Sequence, residues 1–123
     1  MAPLGSSLPR SPSLTPFQEQ LHYATEDLET ALHLYAAEDY FSALTLAACA
    51  EEEFDLALRA IGELPPSARP VQREVPYSML AARLAAAALL ISAIGYLRVL
   101  RSYFAIDESA QVRHFLRAMK VSP

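Results

Sequence analysis

Three glycines, one cysteine and no stretch of strand-like alternation leave few architectures open. A sheet of hairpins needs turn residues and a period of two along each strand, and neither recurs here. The single Cys49 can form no internal disulfide and offers no cysteine pair to a structural zinc ion. There is no Gly-rich phosphate loop, no Ser-His-Asp order, and no nucleophile in a recognisable motif, which counts against the familiar enzyme classes. A net charge of −4 argues against general nucleic-acid binding by bulk electrostatics, while leaving room for a local basic patch. Residues 1–16 lack the apolar centre of a secretory signal, so a reducing, cytoplasmic setting is expected. Cys49 lies in an Ala/Leu run, where a small core residue is expected.

What the chain does have is helical periodicity. The fold class expected is all-α, a four-helix bundle-like domain over residues 15–123 behind a disordered Pro/Ser-rich tail, 1–14. Order should begin at Thr15, with Pro16 at the first helical position and Gln18 completing a capping box. Phe17, Leu21, Ala24, Leu28, Leu32 and Tyr35 then share one side of a helix running to about residue 37. Asp39 caps a second helix, 39–61, stopped by Gly62, with Tyr40, Leu44, Ala47, Phe54 and Leu58 as its inward stripe. A connector with four prolines follows and forbids a continuous helix. The third helix, about 77–104, is apolar on nearly every side and is expected at the centre of the bundle. Its uncharged core of fourteen residues, 84–97, is short for a membrane span, so a buried bundle helix is expected, with a small membrane-associated helical protein built on this helix as an alternative. A short fourth helix, about 108–120, places Val112, Phe115, Leu116 and Met119 on one side.

Three consecutive acids interrupt the second helix. Glu52 and Glu53 project away from the stripe just given, whereas Glu51 stands seven residues from both Leu44 and Leu58 and shares their side. A carboxylate buried there needs a partner or a proton. Arg83, Arg98 and Arg113 are the candidate partners, which makes Glu51 a buried or interfacial acid. On the first helix, His22, Glu26, Glu29 and His33 recur at helical spacing, as bundle metal ligands do. They lie opposite the apolar stripe, however, and the second helix carries no histidine. A solvated face with local pairing is expected, with no metal and no cofactor.

Residues 28–54 resemble a group of bacterial helical proteins related to the HEPN superfamily. The pattern Ser-x-x-Thr-Leu-Ala-x-x-Ala-Glu-Glu appears as Ser42, Thr45, Leu46, Ala47, Ala50, Glu51 and Glu52. HEPN ribonucleases also bear an Arg, a polar residue directly after it, and a His further along the final helix. Here Arg113 and His114 match, and Ala118 stands in place of the second histidine. The resemblance therefore implies a homodimer with a basic cleft but without the activity. Arg113, His114, Arg117 and Lys120 would form a binding patch for RNA, a nucleotide or an acidic protein partner, with Glu51 opposite Arg113. The alternative it implies is a metal-independent ribonuclease in which His114 replaces the missing histidine and Arg113 stabilises the charged transition state. The bland reading of those four residues is the wet face of a short helix.

Overall fold

A computed structural model describes residues 15–63 and 78–120. It contains four helices and, among the described residues, no strand: α1 spans Pro16–Ala36, α2 Tyr40–Ala60, α3 Met79–Arg101 and α4 Ala110–Ala118. The protein is all-α and bundle-like. The expected tail, 1–14, and the proline-rich connector lie outside the described residues, apart from Glu63. The third helix ends three residues earlier than its apolar pattern suggested, because Ser102 and Tyr103 turn the chain instead.

The caps explain the boundaries. Thr15 accepts from the Gln18 amide at 3.1 Å, and the Gln18 side chain accepts in return from the Thr15 amide at 3.0 Å. Asp39, Ser78 and Ser109 cap the other three helices through their side-chain oxygens. At the end of α2, the Glu63 amide reaches back to the Leu58 carbonyl at 2.9 Å around Gly62, whose φ of 81° suits glycine. The end of α1 uses the same device with the wrong residue. The Asp39 amide returns to the Leu34 carbonyl at 2.9 Å, and the left-handed position is held by Glu38 at φ 66°. That conformation costs an L side chain about 1 kcal/mol. Glu38→Gly is therefore expected to raise the unfolding free energy by about 1 kcal/mol, measured by urea titration against a matched Ala37→Gly control that gains nothing.

This tight corner makes α1 and α2 antiparallel. The α2–α3 pair, by contrast, is parallel: Arg83 stands over Tyr40 near both N-termini, and the Tyr103 hydroxyl donates to Glu63 beyond both C-termini. Glu63 and Ser78 consequently stand at opposite ends of the bundle. After α3, the chain turns with the Phe104 ring tilted against that of Phe17, 5.1 Å between centroids, and α4 returns along the second half of α1. Its Phe115 meets Tyr35 edge-on at 5.4 Å.

The centre of this bundle is α2, not α3. Ala43, Ala47, Ala50 and Ala57 of α2 are fully buried along with Phe54 and Leu58, and α2 packs against both α1 and α3. Small side chains at its contact stripe let both neighbours approach closely. The expectation of a central third helix fails for a physical reason. Alanine is the best helix former and is tolerated in water, so its abundance in α3 reports helix propensity rather than burial. One flank of α3 is bare: Leu80 and Leu84 are each 63% exposed, Met79 57% and Ile91 38%. Cys49 likewise is exposed on α2, on the side away from the alanine stripe, rather than in the core.

Candidate functional site

A cleft of about 530 Å³ opens where the α1–α2 corner, the start of α3 and α4 converge. Its floor is aromatic. Tyr35, in the last turn of α1, lies 5.1 Å from the Tyr40 ring and 5.4 Å from that of Phe115, both close to edge-on. The apolar stripes that pack the helices supply these rings, so the floor is rigid by the same contacts that hold the fold. Arg83 crosses one side, its guanidinium carbon 5.8 Å from the Tyr40 ring centroid. A hydrogen bond with Tyr35 holds the Arg83 cation further above its ordinary range, with the Tyr40 ring adding to the effect. His114 and Met119 of α4 form the opposite wall, and Glu38 stands at the lip.

The α4 wall is anchored by polar contacts from α1 and α3. Ser109 Oγ donates to Glu29 at 2.6 Å, and Gln111 Nε2 lies 2.5 Å from His33 Nε2. Half of the histidine–glutamate stripe of α1 thus docks α4, while only His22 and Glu26 behave as the expected exposed pair, 3.2 Å apart. Just before α4, the Glu108 carboxylate receives Arg98 at 2.5 and 3.3 Å and Arg101 at 3.3 Å. Hydrogen bonds from Arg98 hold the Glu108 carboxyl below its usual range against the opposing effect of burial. The Glu108 carbonyl in turn accepts from Arg113 at 2.7 Å.

The proposed binding residues separate on this scaffold. Arg113, Arg117 and Lys120 share the exposed outer side of α4, and His114 turns from that side into the cleft. Glu51 joins none of them. It is half-buried on the flank of α2 that faces Tyr96, whose hydroxyl is pushed up first by burial and further by the Glu51 and Asp55 carboxylates. Among the described residues no ion pair reaches Glu51, and its candidate partners are engaged elsewhere: Arg98 and Arg113 at Glu108, Arg83 at the cleft.

The acid that loses its water is Glu53. At about 100° per residue, Glu51 and Glu53 flank the buried alanine stripe at similar angles on opposite sides, while Glu52 points outward. Glu53 falls on the α1 side, beside Asp27. Its Oε1 is fully buried with no donor in reach, and burial pushes its carboxyl up to about 7, reinforced by a hydrogen bond to Asp27 and by the charges of Asp27 and Glu52. These facts agree: two ionised carboxylates share no hydrogen, so the bond exists only when one of them carries a proton. The expectation that Glu53 projects outward is corrected accordingly; Glu51 and Glu53 are both half-buried, one on each side of the stripe, and Glu52 alone is exposed. The expected stripe is centred by Tyr40, Leu44, Ala47, Phe54 and Leu58, whereas the fully buried Ala43, Ala47, Ala50, Phe54, Ala57 and Leu58 centre it about 45° away, toward Glu53.

No known protein family, curated protein or solved structure matches the chain. Among the described residues, no group of three or more His, Cys, Asp or Glu side chains is arranged to hold a metal ion. The cleft could not be found from the sequence as a site. Arg83 was visible only as a possible partner for Glu51, and Tyr35 and Tyr40 only as core residues. The one local signal was the run Asp107–Glu108–Ser109 at the start of a helix, where acids and a cap residue are favoured.

Proposed function

We propose that this chain is a non-catalytic helical binding module that pairs with a second copy of itself through the outer flank of α3. The observation that carries this reading is the exposure of Leu80, Leu84 and Ile91 in one row, with the small residues Ala87, Ala88 and Gly95 beside them. A row of large apolar side chains with small ones between is suited to close helix pairing. The charges of α3 select the direction. Its only charged residues are Arg83, Arg98 and Arg101, so a parallel pair would set each arginine beside its own copy. An antiparallel pair centred between Ala87 and Ala88 separates them and places Leu84 against Ile91 of the other copy. The row is short, so the interface belongs with small, reversible ones below about 1,200 Å². The resemblance of residues 42–52 to HEPN-related proteins, for which a dimer is implied, agrees with this reading. The alanine at position 118 and the engagement of Arg113 by Glu108 support the absence of strand cleavage.

Sedimentation velocity over a range of concentrations tests the pairing. A concentration-dependent dimer is expected that Leu84→Arg and Ile91→Arg abolish and that Glu52→Arg, on the far side of α2, leaves intact. A wild-type monomer throughout would refute it. A second outcome has a specific basis: α3 is 23 residues long with mean hydropathy 1.9 over its most apolar stretch, long and apolar enough to cross a membrane. Flotation with neutral phospholipid vesicles, lost in Leu84→Arg while the protein remains monomeric, would replace self-pairing with membrane attachment.

A further inference from the structure

We infer that the cleft between α4 and the α1–α2 corner is a binding site for a small amphipathic monocarboxylate. All of its lining comes from one copy of the chain, so the inference stands or falls independently of self-pairing.

Size and chemistry narrow the ligand. A volume of about 530 Å³ lies in the range of small-molecule sites and is too small for a folded partner or a duplex. The floor of Tyr35, Tyr40 and Phe115, with Met119 on the α4 wall, suits an aromatic or branched apolar body. Arg83 is the one permanent cation in the lining, and its planar fork matches the two oxygens of a carboxylate. It is already oriented by the Tyr40 ring, so little freedom is lost when a ligand docks. The remaining charged group sets the charge of the ligand. Glu38 at the lip repels a second negative charge. A phosphate dianion would therefore meet one fixed cation and one fixed anion. Attraction to Arg83 and repulsion from Glu38 both double with a second negative charge, so a dianion gains little net attraction over a monoanion while losing more hydration on entering the cleft.

Cinnamate, cinnamamide and phenyl phosphate separate the possibilities, with affinity measured by titration calorimetry on the full chain. Cinnamate is expected to bind saturably, the neutral amide about tenfold more weakly, and phenyl phosphate no more tightly than cinnamate. Arg83→Gln should weaken cinnamate by about tenfold, equivalent to about 1.4 kcal/mol, and leave cinnamamide unchanged. Arg83 is exposed, so the variant should fold; unaltered circular dichroism and urea midpoint check this. Ala118→Phe adds bulk at the exposed α4 wall and should abolish binding of both cinnamate and cinnamamide. Failure of cinnamate to saturate, equal affinity for the amide, tighter binding of the phosphate, or indifference to Arg83→Gln or Ala118→Phe would each overturn the assignment.

Discussion

Replacing Arg98 with methionine should lower the unfolding free energy by about 2–3 kcal/mol, although the residue lies far from the buried alanine stripe. The loss comes from what Arg98 leaves behind. The Glu108 side chain is only 8% exposed and accepts two bonds from Arg98, at 2.5 and 3.3 Å. Without them a nearly buried carboxylate retains one cationic partner, Arg101 at 3.3 Å. Breaking a fully buried pair costs about 3–5 kcal/mol; the lower figure here reflects an Arg98 side chain that is 33% exposed and the compensating Arg101. Because Glu108 immediately precedes the cap of α4, the strain is local. Hydrogen exchange in α4 should accelerate before that in α2, and the cleft should lose its His114 wall. A double-mutant cycle with Glu108→Gln supplies the decisive check. Once the charge is removed, Arg98→Met should cost less than 1 kcal/mol, since no uncompensated carboxylate remains. A single-mutant effect within about 0.5 kcal/mol of zero would show that Glu108 does not need Arg98. The pH dependence has a defined sign. A carboxyl held below its usual range stabilises the fold at pH above its unfolded pKa, and this contribution disappears as pH falls through the folded value.

Local chemistry was legible in the sequence; the choice among apolar neighbours was not. Thr15 with Gln18, Asp39 and Gly62 set helix ends through contacts within four or five residues, so their effect can be read from a short window. The apolar row of α1 was equally plain, because leucine on an otherwise polar helix has one place to go. In α2 and α3, alanine removed that contrast. A helix that is apolar all round has no visible inward side, and the row of Leu80, Leu84 and Ile91 looked as buried as that of Leu90, Leu97 and Leu100. An error of about half a residue step in the centre of the α2 stripe was then enough to exchange Glu53 for Glu51. The docking of α4 by Glu29, His33 and Glu108 is non-local, spanning 80, 78 and 10 residues in sequence, and no periodicity encodes it.

Glu53 makes the second large prediction, with the opposite sign to Glu108. Its carboxyl is pushed from an ordinary 4.5 up to about 7 by burial and then by Asp27. Between those values the folded chain binds more protons than the unfolded one, so stability must fall as pH rises through that window. A shift of this size corresponds to about 3 kcal/mol for a fully buried group; partial exposure and solvent screening reduce the expected loss to about 1–2 kcal/mol. Glu53→Gln abolishes the titration and leaves an amide that can donate to Asp27 at any pH. At about pH 8 this variant should be 1–2 kcal/mol more stable than the wild type, and at about pH 4 nearly equal to it. Glu52→Gln, on the outward side, removes only the last and smallest of the effects that raise Glu53 and should shift the alkaline limb far less. Urea midpoints across pH then test both acids together. Wild-type stability should peak in the mildly acidic range, where Glu108 is still ionised and Glu53 still protonated; Glu53→Gln should remove the decline on the alkaline side, and Glu108→Gln should flatten the acidic one. Stability that climbs steadily from pH 5 to pH 7 in the wild type would mean that α1 and α2 do not hold a proton between them.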